Sequence, residues 1–140
     1  MELRTLSSDH HRALVIAKRA RQASGEDESA LTRLWAEIET AYRSELERHF
    51  AIEERYLSEP LRAVGETNLV ERLLGEHRQL RSHFTADAER SLDALHRFGE
   101  LLAQHVRFEE REFFNTAEER LDAHTLAAVE AACEEGAALT

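Results

Sequence analysis

Residues 49–57 and 105–113 are two similar segments, and each places a histidine four residues before a glutamate. They share that histidine, a Glu-Glu-Arg run, and apolar residues at the second, fourth and ninth positions. On an α-helix, residues four apart lie on one face, about one turn from each other. Each segment can therefore present an imidazole and a carboxylate side by side, which is how a helix offers two ligands to a first-row transition metal.

The spacing alone is not selective, because a third such pair, His96 and Glu100, occurs in the chain. Helical phase separates the three pairs. His96 lies nine residues before His105, which is half a turn out of phase at 3.6 residues per turn. If His105 faces the interior, His96 faces solvent. We therefore assign His96 and Glu100 to a solvated face and the pairs of the two repeated segments to the interior.

Histidines on two further helices lie on apolar stripes. His77 follows Leu74 by three residues, just as the histidines of the repeated segments each follow a leucine. In the first helix, His10 shares a face with Leu6 and is a better inward candidate than His11. The predicted metal ligands comprise one histidine on each of four helices and a glutamate on two of them: His10, His49, Glu53, His77, His105 and Glu109.

Two buried carboxylates on facing helices need neutralisation. An ionised carboxylate in a protein interior costs several kcal/mol unless it is paired, and two that face each other need a cation or a shared proton. A bound metal meets this requirement and suits mixed imidazole and carboxylate donors. The metal-free alternative is a polar core in which Arg81, one turn after His77, neutralises one of the glutamates.

The composition is that of a soluble globular protein, with 42% hydrophobic and 33% charged residues over 140 residues. The net charge of −10 argues against a nucleic-acid or anionic-membrane partner, since both need a basic face. The N-terminal residues lack the apolar core of a signal sequence and no apolar run reaches membrane-spanning length, so we expect a cytoplasmic protein. Cys133 is the one cysteine, which excludes an intrachain disulfide, and we expect it to be buried.

Apolar residues recur at helical spacing along most of the chain and β-branched residues are scarce, so the sequence predicts an all-α fold. Ser7 or Ser8 is the predicted N-cap of the first helix, and Pro60 is expected to stop the second. Asp122 is expected to cap the last helix and Gly136 to end it. We predict an up-down four-helix bundle with an additional short C-terminal helix. The predicted helices cover about residues 8–22, 28–57, 66–84, 86 to 113–115, and 122–135.

The motifs resemble those of the hemerythrin-like, or HHE cation-binding, family. They are residues 9–14, the pair His49 and Glu53, residues 76–80, and the pair His105 and Glu109, in this order on successive helices. The resemblance implies one hemerythrin-like domain over residues 1–140, with a non-haem di-iron site inside a four-helix bundle. It also implies that the four histidines are terminal ligands and that the two glutamates bridge two iron ions, together with an oxo or hydroxo group.

Two patterns refine the resemblance. No histidine in the chain follows a glutamate by three residues, which argues against the ferritin type of di-iron bundle. Oxygen carriers of the hemerythrin family have a fifth histidine, commonly one turn from the third-helix histidine, whereas Leu73 and Arg81 stand at those positions here. Water, Glu45 or Glu76 could complete the coordination. A mononuclear site and zinc or manganese in place of iron also fit the donor types.

Members of the family bind O2 reversibly, sense O2 or redox state, handle nitric oxide or peroxide, or serve iron homeostasis. By this resemblance we expect a non-enzymatic di-iron protein whose partner is a small diatomic ligand or peroxide. The sequence holds no further catalytic constellation and no nucleotide-binding glycine motif, which disfavours an enzyme. The alternatives are a di-iron enzyme acting on peroxide or nitric oxide, and a helical interaction module with a structural metal or none. Tyr56, one turn after Glu53, is a candidate hydrogen-bond donor near the site.

Overall fold

The computed structural model describes residues 3–25 and 27–138, and within them every regular element is helical. This confirms the predicted all-α class. Each of these helices is too short or too polar to span a lipid bilayer. The α-helices are α1 (Arg4–Gln22), α2 (Glu28–Ala41), α3 (Glu47–Ala63), α4 (Thr67–Arg81), α5 (Leu92–Phe108), α6 (Phe114–Arg120) and α7 (Ala123–Ala138).

Two π-helical turns join α-helices without a break. Tyr42–Leu46 connects α2 to α3, and Glu109–Phe113 connects α5 to α6. A π turn inserts an extra residue and is frequent at functional sites, because it rotates the following helix face. The second turn begins at the candidate ligand Glu109, and it carries the predicted fourth helix beyond its expected end to Arg120.

The first helix begins at Arg4 rather than near Ser8, so its predicted start was wrong. Leu3 and Leu6 are fully buried, and this apolar contact extends the helix toward the N-terminus. The α1 N-terminus has no side-chain cap. The predicted cap Ser7 instead donates its hydroxyl to Glu110, with 2.6 Å between the oxygens.

Pro60 does not stop the second predicted helix, because α3 continues to Ala63. Leu57 and Leu61 on either side of the proline are fully buried, and this burial offsets the roughly 3 kcal/mol that an internal proline costs. Two residues after the helix ends, Gly65 has a φ of 91°, in the left-handed region that favours glycine after a helix C-terminus.

Two other predicted boundaries differ. α5 begins at Leu92 rather than near Ala86, because the Ser91 side chain accepts a hydrogen bond from the Ala94 backbone N–H and acts as the N-cap. The predicted end of the last helix at Gly136 was wrong, because α7 continues to Ala138. A glycine inside a helix costs only about 1 kcal/mol relative to alanine, which the helix tolerates. Asp122 accepts a hydrogen bond from the Thr125 N–H at 2.7 Å, as expected of an N-cap.

Two apolar clusters form the interior, and the candidate ligands lie between them. One contains Trp35, Phe84 and Phe98, and the other contains Phe113, Phe114 and the α7 residues Leu126, Val129 and Cys133. Cys133 is buried, as predicted. Four helices, α1, α3, α4 and α5, contribute buried residues to both clusters. The fold thus places a polar layer between two apolar ones.

Candidate metal centre

The six predicted ligand side chains meet in this polar layer. Each is at most 4% exposed, whereas His11, the alternative on α1, is exposed. Their donor atoms form two overlapping groups, and within each group the atoms lie within 4.8 Å of one another. The first group, here the His10/His49 half, is His10, His49, Glu53 and Glu109. The second group, here the His77/His105 half, is Glu53, His77, His105 and Glu109.

The two glutamates belong to both halves. Glu53 places Oε2 3.1 Å from His49 Nε2 and Oε1 3.1 Å from His77 Nε2. Glu109 Oε1 lies 2.8 Å from His10 Nε2, 3.2 Å from His49 Nε2 and 3.4 Å from His105 Nε2. Each carboxylate therefore stands between histidines of both halves, where a bridging ligand would stand.

Several buried polar atoms in this layer lie within ion-pair distance of one another but form no well-aligned hydrogen bond among the described residues. They are both carboxylate oxygens of Glu53, Oε2 of Glu109, and Nε2 of His77 and His105. A buried polar atom without a partner costs about 1–3 kcal/mol, and such atoms are rare in native proteins. A cation held by nitrogen and oxygen donors would satisfy all of them together, so the residues present fit a transition-metal site.

Each of the four histidines directs its other ring nitrogen, Nδ1, at a carboxylate. The Nδ1–oxygen distances are 2.8 Å for His10–Glu110, 3.1 Å for His49–Asp9, 2.6 Å for His77–Glu54 and 2.6 Å for His105–Glu76. Such a carboxylate orients the imidazole and holds its proton on Nδ1, which leaves Nε2 free to bind a metal. We call the four acidic residues Asp9, Glu54, Glu76 and Glu110 the carboxylate ring.

The ring closes around the site from helix to helix. Each acid of the ring is next to a candidate ligand in sequence, but its carboxylate contacts the histidine of a neighbouring helix. These contacts run from α1 to α3, from α3 to α4, from α4 to α5, and from the turn after α5 back to α1. Neighbouring helical residues point about 100° apart, so the ligand faces the centre while its neighbour faces the adjacent helix. The sequence carried a signal for this ring, since an acid stands next to four of the six predicted ligands.

The two halves differ in the ion-pair partners of their carboxylate-ring residues. Glu54 pairs with Arg81 at 2.6 Å and Glu76 pairs with Arg72 at 3.0 Å. Among the described residues no arginine lies within ion-pair distance of Asp9 or Glu110. Both arginines therefore support the His77/His105 half.

These contacts revise the expectations for residues around the site. Arg81 contacts Glu47 and Glu54 and does not pair with either of the two central glutamates, so it does not form the metal-free neutralising pair considered from the sequence. Glu76 lies behind His105 instead of among the donor atoms. Glu45 pairs with Arg12 at the protein surface, with 3.3 Å between nitrogen and oxygen.

Charges within the site shift its pKa values strongly. Burial alone would lower the pKa of His105, but the nearby Glu109 and Glu76 raise it to about 10. Burial also opposes the charged form of His49, and Glu53, Asp9 and Glu109 together still raise its pKa well above the ordinary value. Both shifts favour the charged imidazole in the metal-free protein, so a cation that binds Nε2 competes with a proton.

A small cavity of about 50 Å³ adjoins the centre, where its lining includes His10, His49, Glu109 and also His105. Its inner wall includes Leu46, Leu102 and Val106, and the exposed Arg12–Glu45 pair lies at its rim. This volume suits a molecule close to water in size and is far below that of a drug-sized site. Phe50, which also lines the cavity, stacks on the fully buried His77 ring with 4.2 Å between centroids.

The remaining candidates lie away from the donor atoms. His96 is half-buried and its Nε2 lies 2.8 Å from the Ala23 carbonyl oxygen, while Glu100 is exposed, so helical phase correctly excluded this pair from the site. His83 contacts the Gln79 carbonyl oxygen. Tyr56 is half-buried against the second apolar cluster, with the Arg55 guanidinium 5.6 Å from its ring centre.

The fold and the centre define a helical protein with a buried histidine and glutamate metal site. The family model of the hemerythrin HHE cation-binding domain matches residues 1–117. The chain belongs to this family and is a metal-binding domain. No curated protein and no solved structure matches it significantly.

Proposed function

We propose that the protein is a non-haem di-iron protein that binds or senses a small molecule such as O2 or nitric oxide, or the redox state of its surroundings. The observation that carries the proposal is that two four-donor groups share Glu53 and Glu109. In this assignment His10 and His49 hold one ion, His77 and His105 hold the other, and the glutamates bridge them. Family membership favours iron over zinc and manganese, which the same donors also fit.

The chain's own residues would prepare the site for such a ligand. Two ferrous ions, when bound, can each supply one electron to O2 or peroxide. Each half offers two imidazoles and two carboxylates, which leaves positions on the metal for an added ligand. The cavity meets the centre at His10, His49, Glu109 and His105, so a small molecule in it would lie beside the donor atoms. The carboxylate ring keeps the Nε2 atoms directed at the centre.

The test is metal counting combined with absorption spectra before and after exposure to air. Protein that is expressed with iron should hold about two equivalents per chain and should gain near-ultraviolet charge-transfer bands on oxidation. The matched control is His96→Ala, which alters a histidine outside the site and should keep both equivalents. A wild-type protein that holds less than about half an equivalent of any transition metal, unchanged by His49→Ala, would contradict a metal function.

A di-iron enzyme acting on peroxide or nitric oxide is the second candidate. The cavity beside the His10/His49 half favours it, because a reactant could reach that half directly. Sustained turnover of peroxide or nitric oxide by the iron-loaded protein would identify an enzyme, whereas a single stoichiometric reaction would identify a binding or sensing protein. An interaction module without metal would leave both buried Glu53 oxygens without a well-aligned hydrogen bond, which disfavours it.

A further inference from the structure

Arg81 links two helices beside the metal centre. It follows His77 by one turn, and its guanidinium reaches Glu54 at 2.6 Å and Glu47 at 2.6 Å. The arginine side chain is 29% exposed and the Glu54 side chain 27%, so water screens the ion pair only in part. Charge-assisted hydrogen bonds from a planar guanidinium to two carboxylates hold both acids in defined positions. One of them, Glu54, holds Nδ1 of His77.

The same chain of contacts continues away from the metal. The buried Tyr42 donates its hydroxyl to Glu47, and its ring stacks on Phe84 with 4.1 Å between centroids. The acid that anchors Arg81 from α3 is therefore itself held by a buried aromatic residue. Tyr42, Glu47, Arg81 and Glu54 form a continuous support for His77.

Arg72 supports the other histidine of the same half. Its Nε lies 3.0 Å from Glu76, whose second oxygen lies 2.6 Å from Nδ1 of His105. The Arg72 guanidinium also lies over the Phe108 ring, 4.1 Å from its centre, which fixes the side chain further. Both histidines of the His77/His105 half thus rest on a carboxylate that an arginine holds.

The acids of the other half have weaker support. Glu110 accepts a hydrogen bond from Ser7, and Asp9 has His49 as its ion-pair partner among the described residues. Their side chains are 36% and 35% exposed, so water can replace their contacts. Both histidines of this half line the cavity, together with His105 of the other half, while His77 lies away from it.

We propose that Arg81 and Arg72 are positioning residues that make the His77/His105 half the retained metal position and the His10/His49 half the exchangeable one. The inference rests on the proposed two-ion function. Loss of an outer hydrogen-bond partner of a metal-bound histidine typically weakens metal affinity by about 10–100-fold. An arginine that immobilises that partner should slow metal release from the half it supports, while the open half exchanges through the cavity.

The experiment follows iron release from the full-length protein, loaded anaerobically with ferrous iron, into a ferrous chelator. Wild type should release one equivalent quickly and one slowly. Arg81→Gln should accelerate the slow phase by about tenfold or more and leave the fast phase unchanged. Arg72→Gln should act in the same direction, and Arg81→Lys, which keeps the charge but loses the fork geometry, should give an intermediate rate. Asp9→Asn should alter the fast phase alone.

Arg19→Gln is the matched control, because Arg19 forms an exposed ion pair with Glu37 away from the site. It should leave both phases at wild-type rates. Release of two equivalents in a single phase, or a slow phase that Arg81→Gln and Arg72→Gln leave unchanged, would overturn the inference while the two-ion function stands. A wild-type protein that loads fewer than two equivalents would overturn the proposed function and the inference with it. Thermal unfolding of each variant shows whether it folds. If Arg81→Gln does not fold, the release rates of Arg81→Lys test the inference in its place.

Discussion

The His10/His49 half and the His77/His105 half contain the same donor types in different surroundings. Each has two buried imidazoles and shares Glu53 and Glu109. Both histidines of the first half line the cavity, and their acids have no arginine partner among the described residues. In the second half His77 stacks on Phe50 away from the cavity, and arginines hold both acids. The difference teaches that two sets of like donor residues can differ through the residues that contact them from outside. Substitutions in each half should show how far the two halves differ.

Removal of a shared glutamate should have the largest effect, because it affects both halves at once. Glu109→Ala takes away a carboxylate within 3.4 Å of three ligand histidines. We expect the variant to lose both equivalents of bound iron in metal analysis after gel filtration. Glu100→Ala, which alters an exposed glutamate, is the control. A Glu109→Ala protein that keeps both ions would refute a bridging role for this residue.

Removal of one histidine should affect one half only. His49→Ala and His77→Ala each delete a donor that belongs to a single group. Each variant should retain about one equivalent of iron per chain, and the retained ion should exchange slowly in His49→Ala and quickly in His77→Ala. Chelator release kinetics distinguish the two. Equal behaviour of the two variants would mean that the halves are equivalent.

Alkaline pH should separate the metal-free and metal-bound proteins. Because the pKa of His105 is raised to about 10, its charge stabilises the metal-free fold fully below the unfolded-state pKa of about 6.5, and this contribution is lost as the pH rises through 10. Metal binding displaces the same protons, so the free energy of metal binding becomes more favourable as the pH rises from about 6.5 to about 10. The difference in Tm between zinc-loaded and metal-free protein should therefore grow from pH 6.5 to pH 9. A constant difference would mean that protons do not compete with the metal.

Filling the cavity should have the smallest effect on metal content and a selective effect on ligand access. Ala13 lines the cavity and is buried, so Ala13→Leu should occupy part of its 50 Å³ at an overpacking cost of about 1–3 kcal/mol. We expect both iron equivalents to remain while the rate of nitric oxide binding falls several-fold in stopped-flow spectra. Ala117→Leu, at a buried position in the second apolar cluster, controls for overpacking without blocking the cavity. Equal rates in the two variants would exclude the cavity as the entry route.

Much of the centre was predictable from local pattern. His49, His77 and His105 each follow a leucine by three residues, and the helical phase that buries the leucine also buries the histidine. The same argument excluded His96 correctly. The same argument failed at helix ends. The helix continues through Pro60 because leucines beside it are buried against residues that lie far away in sequence. Local pattern also could not predict the two π turns.

The sequence by itself determined the all-α class and which side chains face the interior, because helical periodicity depends only on residues within a few turns. Tertiary structure alone decided which acid serves which histidine, since every bond of the carboxylate ring crosses between helices. It also decided that Arg81 and Arg72 stand behind one half and the cavity beside the other. These pairings depend on how neighbouring helices are rotated and offset against each other, and no spacing along one helix contains that information.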